Sequence, residues 1–374
     1  MPARYPVSAA VKLDAVEATD GPVNVGDYEQ LAREALDEGT FGYFAGGAGD
    51  EHTLRHNVEA FDRWRLRPRV LVDVGSVSTE TTVLGQDVSM PVLASPVAHQ
   101  RMAHPEGELA VARAAAAAGT IMCVPTFAMA TPAEVAAEAP DAPRWFQLYW
   151  HPDREVTRSI LDQAREAGCT AIVFTVDLPK LGRRERDLRT GFTLHADYRM
   201  GIYGSEFGDL GTLTPATAAE LVDPRLTWRD LEWLHDTAQL PVIVKGILTA
   251  EDAELAVSHG CAAVIVSNHG GRQLDRALAS LEALPEVVEA VGDRVEVLMD
   301  GGIRRGADVA IALALGARAV CVGRPVVWGL AANGEEGARH VLELLRAELE
   351  LALALLGCAS PEDLGRSHVA RAER

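Results

Sequence analysis

The sequence predicts an α/β fold: a single (β/α)8 TIM barrel, with an N-terminal helical layer before it and a long loop after its fourth strand. Three observations carry this expectation. From residue 90 onward, eight short apolar runs alternate with Ala-, Glu- and Arg-rich helical stretches. Most of the spacings between runs hold one helix each, as repeated βα units require. The runs also end in residues that bear chemistry, which is where a parallel barrel keeps its active site. At 374 residues, 48% of them hydrophobic, the chain exceeds a usual domain, yet one barrel with an extension accounts for it.

Residues 1–85 carry no barrel pattern and are read as an extension packed on the barrel of residues 86–374. The whole forms one domain from about residue 25. The extension contains a helical stretch from about Asp27 to Asp37, then Phe41-Gly-Tyr-Phe-Ala-Gly-Gly-Ala-Gly-Asp50. The expected strands are Pro91–Ser95, Thr120–Val124, Trp145–Tyr149, Ala171–Thr175, Pro241–Lys245, Ala262–Ser267, Val295–Met299 and Ala319–Gly323. A short alanine helix, Ala114 to Ala118, falls between the first two. Leu178 to Leu240 is too long for one helix, and its first part is irregular, so it reads as an inserted, mobile loop over the barrel mouth. At the end of the chain Leu342, Leu345, Leu349, Leu353 and Leu356 recur at three and four residues and stop at Gly357. That is an amphipathic helix with a glycine stop, its stripe serving core or subunit packing.

Thirty-five Lys plus Arg against 54 Asp plus Glu leave a formal charge of −19, which argues against nucleic acid or an anionic membrane as partner. The same balance repels anionic substrates, so an acid-binding site needs arginines of its own. Cys123, Cys169, Cys261, Cys321 and Cys358 are widely spaced, with no CxxC and no Cys/His metal spacing. No metal is expected, and buried free thiols in a reducing cytoplasm are the natural account. The N-terminus lacks the apolar core of a signal peptide, and no apolar run reaches the ~18 residues of a membrane helix.

The strand ends carry the function. After the sixth run stands Ser267-Asn-His-Gly-Gly-Arg-Gln-Leu-Asp275: an imidazole, two glycines and a guanidinium, a base beside a carboxylate fork. A strand-end His can merely cap a loop, and an Arg can sit in solvent. Four apolar strands, however, end in Lys245, His269, Asp300 and Arg324, which stability alone does not explain. The other ends are Pro96-Val97-Ala98, Pro125, Gln147 with Tyr149, and Thr175 with Asp177.

The last two units read as a phosphate site. Gly301, Gly302 and Gly323 let backbone N–H groups approach an anion, and Arg304 and Arg324 add charge where barrels commonly hold phosphate. Two glycine turns with surface arginines are the plainer alternative. No GxGxxG stands at dinucleotide spacing before an acidic residue, so NAD is not supported. A phosphate, Asp300 for polyol hydroxyls, and Lys, Gln and Thr from other strands suit a phosphorylated ring with polar edges, and FMN fits.

With those residues in view, the chain resembles the FMN-dependent α-hydroxy-acid oxidase and dehydrogenase family: glycolate, lactate and hydroxymandelate oxidases. The likeness runs from about Val25 to Gly357. It is most specific in the 267–275 motif, Phe146-Gln-Leu-Tyr149, Thr175-Val-Asp-Leu-Pro179 with Leu181-Gly-Arg-Arg184, and Asp300-Gly-Gly-Ile-Arg-Arg305. The resemblance implies His269 as base, oriented by Asp177. It implies Arg184 and Arg272 as the carboxylate clamp, and Tyr43 and Tyr149 as phenols on carboxylate and hydroxyl. Lys245 is implied at the pyrimidine edge of the flavin. Gln147, Thr175, Ser267, Pro96, Val97 and Ala98 complete the ring contacts, and Asp300, Gly301, Gly302, Ile303, Arg304, Gly323 and Arg324 hold ribityl and phosphate. It also implies a homo-oligomer, a tetramer.

The expected function is FMN-dependent oxidation of an L-2-hydroxy acid to the 2-oxo acid, with O2 as acceptor giving H2O2. A dehydrogenase or monooxygenase of the same family, an FMN-using phosphate-binding barrel isomerase and a non-catalytic binding protein are the alternatives. Two departures stand out. Pro125-Thr126-Phe127 replaces the Ser-x-Trp of several relatives, removing a hydroxyl and an indole N–H. His99 stands where relatives often have an apolar or aromatic residue, and reads as a packed neutral His. Phe127, Leu181 and the 178–240 loop, with Met129 nearby, are expected to line a side-chain pocket without a polar donor. Such a pocket favours apolar or aromatic acids over glycolate.

Overall fold

The computed structural model describes residues 21–194, 200–203 and 219–372. The expected barrel is present, closed and parallel. Its strands are β1 (Val92–Ala94), β2 (Met122–Pro125), β3 (Arg144–Leu148), β4 (Ile172–Thr175), β5 (Val242–Ile247), β6 (Ala263–Val266), β7 (Glu296–Asp300) and β8 (Ala319–Val322). Each pairs with the next, and β8 closes on β1 with Val320 opposite Val92. All eight fall on the expected runs. β2 extends through Pro125, and β5 through Ile247 past an irregularity at Gly246.

Because side chains alternate along a strand, each strand supplies two faces. Leu93, Cys123, Trp145, Val173, Ile243, Ile265, Leu298 and Cys321, one from every strand, form one buried cluster. A cluster that draws on all eight strands is the barrel interior. Val83 and Val88, from the hairpin of Thr81–Val83 with Gln86–Val88, join it. The alternate residues, such as Val92, Val124, Phe146, Ile172, Val244, Val266, Met299 and Val320, pack under the surrounding helices. All five cysteines are buried and free.

The extension is helical, as expected, but divided. Asn24 caps a helix at Val25–Ala35, its carboxamide oxygen accepting from the Asp27 N–H at 3.1 Å. Asp37 caps the next at Glu38–Ala45, accepting from the Thr40 N–H at 3.0 Å. The single stretch expected at Asp27–Asp37 thus stops early because Asp37 is itself a cap. A third helix, His52–Glu59, follows. The Val25–Ala35 helix lies along the C-terminal helix Arg324–Leu356. That helix is longer than its leucine stripe and is interrupted at Asn333 and Gly334. All five stripe leucines are buried within the monomer, and Gly357 ends the helix at φ 73°. Trp64–Leu66 pairs antiparallel with Val369–Arg371, tying the extension to the end of the chain. Of the long loop expected at 178–240, residues 195–199 and 204–218 lie outside the described residues, as do residues 1–20 of the extension. A short helix, Glu185–Thr190, opens the loop.

Candidate active site

At the C-terminal mouth of the barrel a pocket opens, lined directly from six of the strands and from β1 and β6 through the loops that follow them. The 267–275 motif builds most of it, and almost every residue in it has a mechanical task. The Ser267 hydroxyl accepts from the Lys245 ammonium at 2.9 Å and from the His269 N–H at 3.0 Å. Asn268 and Asn57 exchange carboxamide hydrogen bonds at 2.7 and 2.8 Å, locking the loop to the His52–Glu59 helix. Gly271 takes φ 75°, and a Cβ there would meet the Leu54 backbone at 2.6 Å. Gln273 donates to the Asp177 and Lys180 carbonyls, joining the loop to the segment after β4. Asp275 accepts from the Asp50 and Thr53 N–H groups at the start of the His52–Glu59 helix.

His269 itself sits at φ 59°, in left-handed backbone that a non-glycine residue enters only when its surroundings hold it there. Its Nδ1 lies 2.9 Å from Asp177 Oδ1, and its Nε2 lies 3.3 Å from the Tyr149 hydroxyl. With Nδ1–H donating to the carboxylate, Nε2 presents a lone pair to the pocket. Burial lowers the imidazole pKa below its usual value against the opposing pull of Asp177, so the ring is neutral at neutral pH. Burial alone would raise the Asp177 pKa, but His269 and Lys245 together hold it below the usual carboxylate value.

Lys245 is buried, yet Asp300 at 3.1 Å, with Asp177 beyond it, outweighs desolvation and raises its pKa. The ammonium is therefore permanent. Tyr149 stays protonated, its pKa raised by burial and then by Asp177.

Four arginines surround the pocket: Arg184, Arg272, Arg304 and Arg324. Among the described residues none of the four has a carboxylate within ion-pair distance. Arg272 donates to the Tyr43 and Gly46 carbonyls and lies 4.9 Å over the Tyr43 ring. Burial and then Arg184 bring its pKa down to about 10. The Nε of Arg184 is buried without a partner. Arg324 is fixed by the Phe44, Gly270 and Gly46 carbonyls at 2.8–2.9 Å. Arg304 donates to the Ile303 carbonyl. Arg184 is buried and the other three half-buried, and guanidiniums so withdrawn from water without a protein carboxylate call for anions from outside. By chain position they form two pairs, Arg184 and Arg272 after β4 and β6, and Arg304 and Arg324 after β7 and β8; Arg272 and Arg324 meet at the shared Gly46 carbonyl.

The second pair stands by the glycine turn. Gly301 and Gly302 have φ 95° and 87°, and a Cβ on Gly302 would lie 1.9 Å from the Asn57 carbonyl oxygen. Only glycine fits there. On the pocket wall, Gln147 Nε2, Thr175 Oγ1 and Asp300 Oδ1 are buried with no partner among the described residues. A donor, a hydroxyl and a carboxylate oxygen left open, a fixed ammonium, and a dibasic glycine turn together fit a polar-edged ring carrying a phosphate, as in FMN.

Of the expected site residues, Pro96, Val97, Ala98, Gln147, Thr175, Lys245, Asp300, Gly301, Gly302, Ile303, Arg304, Gly323 and Arg324 all face the pocket, as do Tyr43, Tyr149, Arg184, Arg272 and His269. Asp177 stands behind His269. Ser267 does not line the pocket; its hydroxyl accepts from the Lys245 ammonium and from the His269 backbone N–H. The side-chain pocket also differs from expectation. Phe127, Leu178 and Leu181 line it, and Met129, two residues after Phe127, stays outside the lining. His99 lines it instead, so the wall is not purely apolar. Asn57, Glu108 and the carbonyls of residues 43–46 were not anticipated. Glu108 had a signal, a carboxylate inside the largely apolar helix Gly107–Ala117; nothing local marked Asn57 or the carbonyls.

The chain matches the family described as FMN-dependent dehydrogenase over residues 32–371. It is 48% identical to L-lactate oxidase of Nostoc sp. over 94% of this chain and 98% of that protein. It is also 48% identical to glycolate oxidase of Spinacia oleracea, over 93% and 95%. A crystal structure of mandelate oxidase superposes with a TM-score of 0.86 at 44% identity, covering 94% of this chain and 99% of the other. The chain belongs to the FMN-dependent dehydrogenase family.

Proposed function

We propose that the protein oxidises an L-2-hydroxy acid to the 2-oxo acid, with O2 as the final electron acceptor and H2O2 as product. One observation carries the reading: His269, neutral and oriented by Asp177, faces the same pocket as two arginines that lack a carboxylate of their own. When bound, FMN supplies the two-electron acceptor. Arg304, Arg324 and the Gly301–Gly302 turn hold its phosphate; Gln147, Thr175 and Lys245 hold its ring.

The chain's own residues do the rest. Arg184 and Arg272 take the substrate carboxylate, and Tyr43, buried beneath Arg272, completes that end. The substrate hydroxyl is directed to Nε2 of His269, with Tyr149 beside it. Nε2 accepts the proton, and the Asp177 carboxylate at Nδ1 stabilises the imidazolium that forms. Lys245 places a fixed positive charge where negative charge grows.

The five buried thiols support a reducing compartment, the cytoplasm. Val70, Leu71, Leu351 and Leu355, left exposed, support assembly into a homo-oligomer. The pairing of Trp64–Leu66 with Val369–Arg371 supports one domain over about 25–374.

Anaerobic titration tests the function. Yellow holoenzyme bleaches on adding glycolate, L-lactate, 2-hydroxyoctanoate or (S)-mandelate, and regains colour in air with release of peroxide. Holoenzyme that stays yellow with all four overturns the reading.

A further inference from the structure

We propose that His99 is the specificity residue of the side-chain pocket, selecting 2-hydroxy acids whose side chain carries an uncharged hydrogen-bonding group, above all a hydroxyl. The proposal rests on reading the site as a 2-hydroxy-acid oxidase.

His99 is 2% exposed and faces the pocket. Its ring lies parallel to Phe127, centroids 6.2 Å apart, and 6.1 Å from the Tyr43 ring. Among the described residues its backbone N–H has a partner, the Phe127 carbonyl at 3.1 Å, but neither ring nitrogen has one. A neutral imidazole carries one N–H donor and one lone pair, and burying either unmade costs about 1–3 kcal/mol. Both therefore await a group that enters the pocket.

That group is not the reacting end of the acid, which His269, Tyr149 and the two arginines serve. Nor is it a carboxylate. His99 titrates at about 3, because burial disfavours its charge and the nearby Arg184 and Arg272 disfavour it further. It remains a neutral donor and acceptor next to Phe127. A hydroxylated side chain satisfies it; an apolar one displaces water and leaves both nitrogens unpaired.

The imidazole is also fixed in place. His99 adopts φ 59°, and the next residue, Gln100, gives its N–H to Glu108 Oε1 at 3.1 Å. The same oxygen takes the Met129 N–H at 3.2 Å, so one buried carboxylate pins the loops that carry His99 and Phe127. Gln100 Nε2 donates back to the Val97 carbonyl at 3.1 Å.

The test compares kcat/KM within two pairs that differ by one hydroxyl: L-lactate with L-glycerate, and (S)-mandelate with (S)-4-hydroxymandelate. Wild type is expected to favour the hydroxylated member of at least one pair by about tenfold or more. In H99L, with FMN content confirming the fold, the ratio should fall to within about threefold of unity. In H99N, which tolerates left-handed backbone and keeps a donor and an acceptor, the preference persists. Three results overturn the proposal: wild type preferring the plain acid in both pairs, no preference in either, or H99L losing all four acids equally. If H99L does not fold, the wild-type ratios and H99N decide. Failure of every acid to bleach the flavin brings down the oxidase reading, and this one with it. Turnover with unaltered ratios brings down this one alone.

Discussion

The loops after β6 and β1 each place a histidine in the pocket with φ 59°, His269 half-buried and His99 buried, and the two have opposite chemistry. His269 has a carboxylate on Nδ1, a phenol near Nε2 and a serine under its backbone. His99 has two aromatic rings and, further off, two guanidiniums. Burial lowers both pKa values, but only at His269 does a carboxylate oppose it. The ring we propose as the base has an anion to stabilise the cation that proton transfer would form. The ring without one stays neutral, as its proposed recognition role requires. Residue type did not separate these roles; their partners did.

The sharpest way to break the comparison is to remove the base. His269→Asn should keep FMN and slow flavin reduction by at least ~10²–10⁴, measured by anaerobic stopped flow. Reduction at near-normal speed assigns the proton to another group.

Removing the partner should cost less and carry a pH signature. Because His269 titrates below the usual imidazole value, kcat/KM should be flat at neutral pH and fall only on the acid side of ~6.5. Asp177 raises that pKa, so in Asp177→Asn the acid limb should move to lower pH while the plateau drops. A limb that moves up, or stays in place, argues against their coupling.

Lys245 has no counterpart at His99, and its ammonium is the charge we assign to the flavin ring. Lys245→Met should weaken sulfite binding to the holoenzyme, followed by flavin absorbance; undiminished binding places the ammonium elsewhere.

The smallest effect concerns the scaffold under His269. Asn57→Ala strands the Asn268 carboxamide and the Ser280 N–H and should lower stability by about 1–3 kcal/mol in urea unfolding. An unchanged midpoint means that the loop after β6 holds its own shape.

How much of this the sequence announces depends on how far apart the partners lie. Apolar runs such as Ala262–Ser267 declare β strands locally, and the residues proposed for catalysis stood out because they lie at or just after the ends of those runs. Leu342 to Leu356 announced the last helix, yet its start at Arg324 was hidden by the break at Asn333 and Gly334. The pairs at Trp64–Leu66 and Thr81–Val83 are three residues long, too short to show a period. Asn57, Ser267 and Glu108 gain meaning only from contacts across the fold. His99 reads as core filling from sequence, since nothing local tells that its ring nitrogens have no partner.

The hold of Arg324 and Arg272 on the carbonyls of residues 43–46 has a consequence for synthesis. The carbonyls leave the ribosome early, and the guanidiniums that secure them follow some 230–280 residues later. Val369 to Arg371, which pair with Trp64–Leu66, emerge last of these. Loop closure over such separations is slow. The helices around residues 25–45 therefore wait some 230–280 residues of synthesis for these partners, and the pocket is completed only once Arg324 has emerged.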